Sequence, residues 1–214
     1  MISAREALER LREGNRRFAS DARNADSLTG EARRREVAAG QKPFAIILGC
    51  SDSRVPPEMI FDQGLGHLFV IRVVGNIVGP SPVGSVEFAA VRFGTRLIVV
   101  LGHTRCGAVL DTIEALRRPK ENRSPNLRAI VDRVRPSVEE VLATELRHEP
   151  DALVHHAVRA NIRFSANHLR HESEVLQQLV EKDNLLIVGA EYSLETGVVD
   201  FFDGVPDVSV ETKP

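Results

Sequence analysis

Apolar residues in this chain collect into short unbroken runs, with stretches of helical spacing between them. Phe44-Ala-Ile-Ile-Leu-Gly49 and Leu97-Ile-Val-Val-Leu-Gly102 are aliphatic, largely β-branched and closed by glycine. That is the pattern of strands buried on both faces of a parallel sheet. His67–Arg72 and Leu185–Gly189 offer two more strands, and Thr196-Gly197 turns the chain into Val198–Phe202, expected to run antiparallel as a fifth. Pro82–Phe93, Cys106–Leu116, Asn126–Leu146 and Ala152–Val180 read as helices by periodicity, the last two separated near Pro150. Residues 3–19, with Ala7, Leu8, Leu11 and Phe18 at helical spacing, and residues 31–39, before Gly40, are two helices outside any βαβ unit. The alternation predicts a single α/β domain over residues 1–214: a mostly parallel four-stranded sheet with an added antiparallel fifth strand, flanked by helices. Residues 1–39 form an N-terminal helical arm and residues 40–214 the α/β core.

Composition narrows the class of protein. Hydrophobic residues make up 43% and charged residues 27% of the 214, ordinary for a folded domain and unlike a disordered chain. A formal charge of −2 points to neither nucleic acid nor an anionic membrane as a partner. Arg33-Arg34-Arg35 reads as the wet face of a helix rather than a phosphate patch. No apolar stretch approaches the ~20 residues needed to span a bilayer. The interleaved charges from Arg5 to Arg17 lack the apolar middle of a signal peptide, so the cytoplasm is the expected compartment, where thiols stay free. A dinucleotide-binding enzyme finds no support, because neither G-x-G-x-x-G after the first strand nor G-x-x-x-x-G-K-[ST] is present.

The first strand delivers something else: Cys50-Ser51-Asp52-Ser53-Arg54, a thiol, a carboxylate and a guanidinium within five residues. The strand ending at Gly102 delivers His103-Thr104-Arg105-Cys106-Gly107. Cys50 and Cys106 are the only cysteines, and a buried free cysteine commonly behaves as a small hydrophobe. Three details favour a metal instead. Cys106 follows His103 by three residues, and both half-motifs directly follow buried strands. Ligands in open α/β sheets gather beyond the carboxyl ends of strands, particularly where strand order reverses. Four other histidines, His155, His156, His168 and His171, lie in a helical stretch without a cysteine to complete a set, and read as helix surface.

The pair C-S-D-S-R and G-H-T-R-C-G resembles the signature of the β-class carbonic anhydrases. The likeness is nearly continuous from about residue 40 to 110, taking in Val55-Pro56, Phe69-Val70-Ile71-Arg72, Gly75-Asn76 and Val86-Glu87-Phe88. It implies one Zn²⁺ per chain held by Cys50, His103 and Cys106, and reversible hydration of carbon dioxide to bicarbonate and a proton by zinc-bound hydroxide. Asp52 would either occupy the fourth zinc position, closing the site, or pair with Arg54 and orient the nucleophile. The open form is the expected one. Two thiolates and one neutral imidazole leave the site net neutral, so its water is expected to ionise at higher pH than at a site of three neutral imidazoles.

By the same resemblance Phe69, Val74 and Phe88 line the carbon dioxide pocket, Gly107 permits close approach, and Gln41, from a neighbouring subunit, hydrogen-bonds substrate. Phe88 departs from the tyrosine that related enzymes often carry, so any polar role there is lost. An inhibitory bicarbonate site found in some members needs a Trp, an Arg and a Tyr; Arg72 and Tyr192 fit, but Ile47 stands in place of the Trp. Regulation of that kind is not expected. The implied assembly is a homodimer or homotetramer. Two other readings share the scaffold: a hydrolase of carbonyl sulfide or carbon disulfide, and a catalytically silent zinc protein that senses bicarbonate. Thiolate-rich sites also accept cobalt or iron.

Overall fold

A computed structural model of the protein describes residues 2–22, 30–118 and 124–206. Its centre is a five-stranded sheet in the order β2-β1-β3-β4-β5. The strands are β1 (Ala45–Gly49), β2 (Leu68–Arg72), β3 (Leu97–His103), β4 (Leu186–Tyr192) and β5 (Val199–Asp203). The first four are mutually parallel and β5 runs antiparallel to β4, as expected. Both β1 and β3 are buried along their whole length, which is why their sequences are continuous apolar runs rather than alternating ones.

Alternate residues of each strand feed two separate cores. Ile46, Leu48, Ile98 and Val100 pack under α4 (Pro80–Arg92), α5 (Gly107–Arg117), α6 (Pro125–Leu142), α7 (Pro150–His171) and α8 (Glu174–Asp183). Ile47, Val99, Leu101, Val188 and Ala190 face the other way, against α1 (Ala4–Ala19) and α3 (Pro57–Ile60). Helix α1 starts on a capping box, Ser3 accepting from the Glu6 amide while the Glu6 carboxylate accepts from the Ser3 amide. Its residues Ala7, Leu8 and Leu11 are buried on the chain's own sheet, and Asn15 accepts from the Val199 amide and donates to the Gly197 carbonyl. The first helix is thus part of the second core. Helix α2 (Glu31–Val37) buries none of its residues, and Arg33, Arg35 and their acidic neighbours pair along its surface.

Two helical stretches are more broken than periodicity predicts. The expected continuous helix over 152–180 ends at His171 and restarts at Glu174, because Ser173 caps the second segment and also donates to the Glu87 carboxylate at 2.7 Å. Thr144 similarly caps a 3₁₀ turn, Glu145–His148, after α6 ends at Leu142. Side chains that bond locally to backbone amides compete with helix continuation. No described helix is long and apolar enough to cross a membrane.

The sheet order has one reversal that matters. After β1 the chain builds β2 on one side and then crosses to place β3 on the other. The gap between the carboxyl ends of β1 and β3 is therefore the switch point at which open sheets bind ligands.

Candidate metal centre

Register puts Gly49 of β1 beside Leu101 of β3, so Cys50 and His103 emerge as near neighbours at that switch point. His103 is the last residue of β3 and fully buried. Its Nδ1 lies 3.0 Å from the Thr104 carbonyl oxygen. A carbonyl can only accept, so Nδ1 carries the proton and Nε2 presents a lone pair. That Nε2 is buried and has no hydrogen-bond partner.

A tight turn brings the second thiol back under the ring. Arg105 is left-handed, with φ 54°, and Cys106 is the N-cap of α5. Glu195 braces the turn, accepting from Thr104 Oγ1 at 2.9 Å and lying 3.3 Å from Arg105 Nε, while the Leu194 amide donates to Thr104 Oγ1. Among the described residues, Cys50, His103 and Cys106 are the only three or more His, Cys, Asp or Glu side chains whose donor atoms lie within 4.8 Å of one another. Two sulfurs and one orphaned imidazole nitrogen at that separation fit a tetrahedral ion with one position left over.

Burial alone would keep both thiols protonated, but the pair behaves otherwise. Cys50 is driven toward thiolate chiefly by a hydrogen bond from Cys106, opposed by burial and helped by the backbone amides of Asp52 and Gly75. Cys106 is pushed the other way, because it is the donor to Cys50 and is itself desolvated. Metal binding requires thiolates, so a cation held by the two sulfurs would favour deprotonation of both.

Asp52 and Arg54 stand at the rim. The carboxylate accepts from the Arg54 amide at 2.9 Å, from Nε at 3.0 Å and from Nη2 at 2.7 Å. These bonds, led by the guanidinium, hold its carboxyl well below the usual carboxylate range. Asp52 Oδ2 is 3.9 Å from His103 Nε2, turned toward Arg54 rather than inserted among the three donors.

Two residues have bracing roles that the sequence did not suggest. Arg72, at the end of β2, donates to the carbonyl oxygens of Cys50 and Asp52, fastening the loop that carries both. The Gly75 amide donates to Cys50 Sγ at 3.4 Å. Gly75 is left-handed, with φ 72°, and a Cβ there would stand 2.8 Å from the Ala108 Cβ, so only glycine fits. Gly75-Asn76 and Arg72 were visible as parts of the familiar sequence pattern, but nothing local told what they touch.

The expected pocket residues divide into two groups. Val74 adjoins Gly75 and is 42% exposed, and a Cβ on Gly107 would meet nothing within 4 Å, so both border open space by the two thiols. Phe69 pairs with Ile46, four residues back from Cys50, or about 13 Å along the strand. It stacks with Phe88 and Phe93 at centroid distances of 6.3 and 5.8 Å. Gln41 precedes β1 and lines a cavity of about 700 Å³ with Lys42, Phe44, Arg92, Phe93 and Arg96. In one chain, Phe69, Phe88 and Gln41 therefore lie at the other end of the strands from the thiols. Tyr192 is buried beside Phe18, and Arg72 is engaged by the two carbonyls.

Known proteins resemble this chain in sequence and fold. The family model described as carbonic anhydrase matches residues 45–199. Carbonic anhydrase 2 of Mycobacterium tuberculosis is 35% identical over 207 residues, covering 96% of each chain. The carbonic anhydrase of Mycolicibacterium smegmatis is 34% identical over 204 residues, covering 94% of this chain and 95% of its own. Among solved structures, the β-carbonic anhydrase CcaA superposes with a TM-score of 0.72 at 26% identity, over 92% of this chain and 95% of that one. A sheet reversal flanked by Cys50 and the His103–Cys106 turn, within a fold and sequence that match throughout, makes this chain a member of the β-class carbonic anhydrases.

Proposed function

We propose that the protein catalyses reversible hydration of carbon dioxide to bicarbonate and a proton, using one zinc ion held by Cys50 Sγ, His103 Nε2 and Cys106 Sγ. The observation that carries this reading is the buried, unpartnered His103 Nε2 facing two thiols at the switch point. Zinc there would supply Lewis acidity, lowering the pH at which a water becomes nucleophilic.

The chain's own residues supply the rest. Arg54 keeps Asp52 ionised and aimed, and an ionised carboxylate is an acceptor only. Asp52 therefore accepts a hydrogen bond from the attacking water and turns its lone pair toward carbon. Carbon dioxide is small and apolar, so the walls need little polarity; Val74 and the bare face of Gly107 leave it room. The proton departs to solvent or buffer. Gln41, Phe69 and Phe88 are too far along the strands to serve their own chain's centre, so they complete the pocket of a second copy. Phe88 is 54% exposed, an apolar surface that such a homodimer or homotetramer would cover.

Stopped-flow hydration of carbon dioxide, run with metal analysis and beside a sulfide-release assay on carbonyl sulfide and carbon disulfide, tests the reading. Rapid hydration by zinc-loaded protein is expected. Sulfide release without hydration would assign the scaffold to the hydrolases, and silence in both assays would leave a bicarbonate-binding protein.

A further inference from the structure

Asn161 stands out on the apolar face of α7. It is 1% exposed and shares that face with Ala157, Val158, Ile162 and Ala166. A buried amide without hydrogen bonds is costly, so what it touches decides why the site tolerates it. Its Nδ2 donates to the Gly75 carbonyl at 2.8 Å, and its Oδ1 has no partner. Gly75, through its own amide, donates to Cys50 Sγ. One left-handed glycine thus links a helix on the sheet's flank to a thiol of the metal set.

We propose that Asn161 is a positioning residue of the metal centre: by anchoring the Gly75 carbonyl it holds the Gly75 amide on Cys50 Sγ and sets how strongly that sulfur donates to the ion. This rests on the zinc reading above. Glycine has the widest backbone freedom of any residue, so an amide carried by Gly75 keeps its direction only if the residue is held on its other side as well. Ala108 limits it sterically and Asn161 holds it by a hydrogen bond. An amide bonded to a thiolate withdraws electron density from the sulfur. At a site whose two thiolates already neutralise the ion, that withdrawal raises the electrophilicity left at the metal.

The test uses full-length protein with Asn161→Ala and Asn161→Leu, and Ser165→Ala as control. Ser165 is on the same buried face, is 1% exposed and has no partner for its hydroxyl. Zinc affinity is read by chelator competition, and sulfur donation by the thiolate-to-metal charge-transfer band of cobalt-substituted protein. Outer partners that hold a ligand in place are typically worth about 10–100-fold in affinity, so with Gly75 and the Cys50 sulfur no longer held in position at least a tenfold loss is expected in the Asn161 variants, even though the freed sulfur is the stronger donor. Their charge-transfer band moves to lower energy, while Ser165→Ala leaves both readouts near wild type. Wild-type affinity and an unmoved band in folded Asn161→Ala overturn the proposal, as do equal changes in Ser165→Ala. Slow hydrogen exchange of the Gly75 amide in metal-loaded wild type is also expected, and fast exchange there overturns the proposal without any variant. A wild type that binds neither zinc nor cobalt overturns the zinc reading itself.

Discussion

Arg54 grips Asp52 with both prongs of its guanidinium, Nε on Oδ1 at 3.0 Å and Nη2 on Oδ2 at 2.7 Å, with Asp52 two residues from the Cys50 thiol. A surface ion pair is worth little for stability, but this one fixes where a carboxylate points. Asp52→Asn should keep zinc content while hydration falls about a hundredfold or more, the usual scale for a positioned acid–base group. Arg54→Lys should lose less than Asp52→Asn but more than a neutral exchange, since one ammonium cannot match the fork. Stopped-flow rates beside metal analysis check both.

The same pair has an acid limit. Its folded carboxyl is held below the unfolded value of about 3.9, so the stability it lends is present above that pH and lost as pH falls through the folded value. Arg54→Gln should therefore lessen the acid sensitivity of stability below about pH 4, read as a shallower fall of the denaturation midpoint.

His67 responds in the opposite range. Its Nδ1 accepts from the Gly64 amide and faces Arg10 Nη2, both at 3.2 Å. Burial, then Arg10 and Arg33, lower its pKa to about 4. Between that value and about 6.5 the unfolded chain binds a proton that the folded chain does not. Stability from this residue is full above about pH 6.5 and declines as pH drops toward 4. The denaturant midpoint should fall between about pH 7 and pH 5, and His67→Asn, which keeps an acceptor without titrating, should flatten the difference.

Removal of the ion should cost stability as well as activity. Zinc at about a hundred times its dissociation constant adds about 2.7 kcal/mol to a fold that binds it only when native. Chelation should lower the melting temperature, and Cys106→Ser should abolish the difference between the chelated and loaded forms.

Packing around the switch point is equally testable. A Cβ on Gly102 would come within 2.6 Å of the Ile162 side chain. Gly102→Ala should destabilise by about 1–3 kcal/mol through overpacking. Ile162→Val in the same chain should recover part of that loss, and a double-mutant cycle measures the coupling.

Much of the architecture was legible in the chain. Continuous apolar runs at 44–49 and 97–102 announce buried strands because burial on both faces removes the need for polar alternation. The helix break at Ser173 was not legible, since an apolar period continues across it and only the bond from the Leu176 amide to Ser173 Oγ shows the capping role. Nor was the placement of α1, whose Leu8 and Leu11 face would be buried equally well by another copy; the bonds of Asn15 to Gly197 and Val199 settle it on its own sheet. Phe69 belongs to the strand beside β1, yet parallel register pairs it with Ile46, four residues from Cys50, and Phe88 packs against it there.

The residue pattern by itself determined the strands, their parallel sense and the three residues, Cys50, His103 and Cys106, that could hold a metal, because hydrophobic period and ligand chemistry are properties of short segments. Only the tertiary structure decided that β1 and β3 are neighbours, that Arg72 and Gly75 hold Cys50, and that Asn161 reaches Gly75 from a helix 86 residues away. Those relations depend on strand order and on which atoms come within about 3 Å, and such distances are set by how the whole core packs.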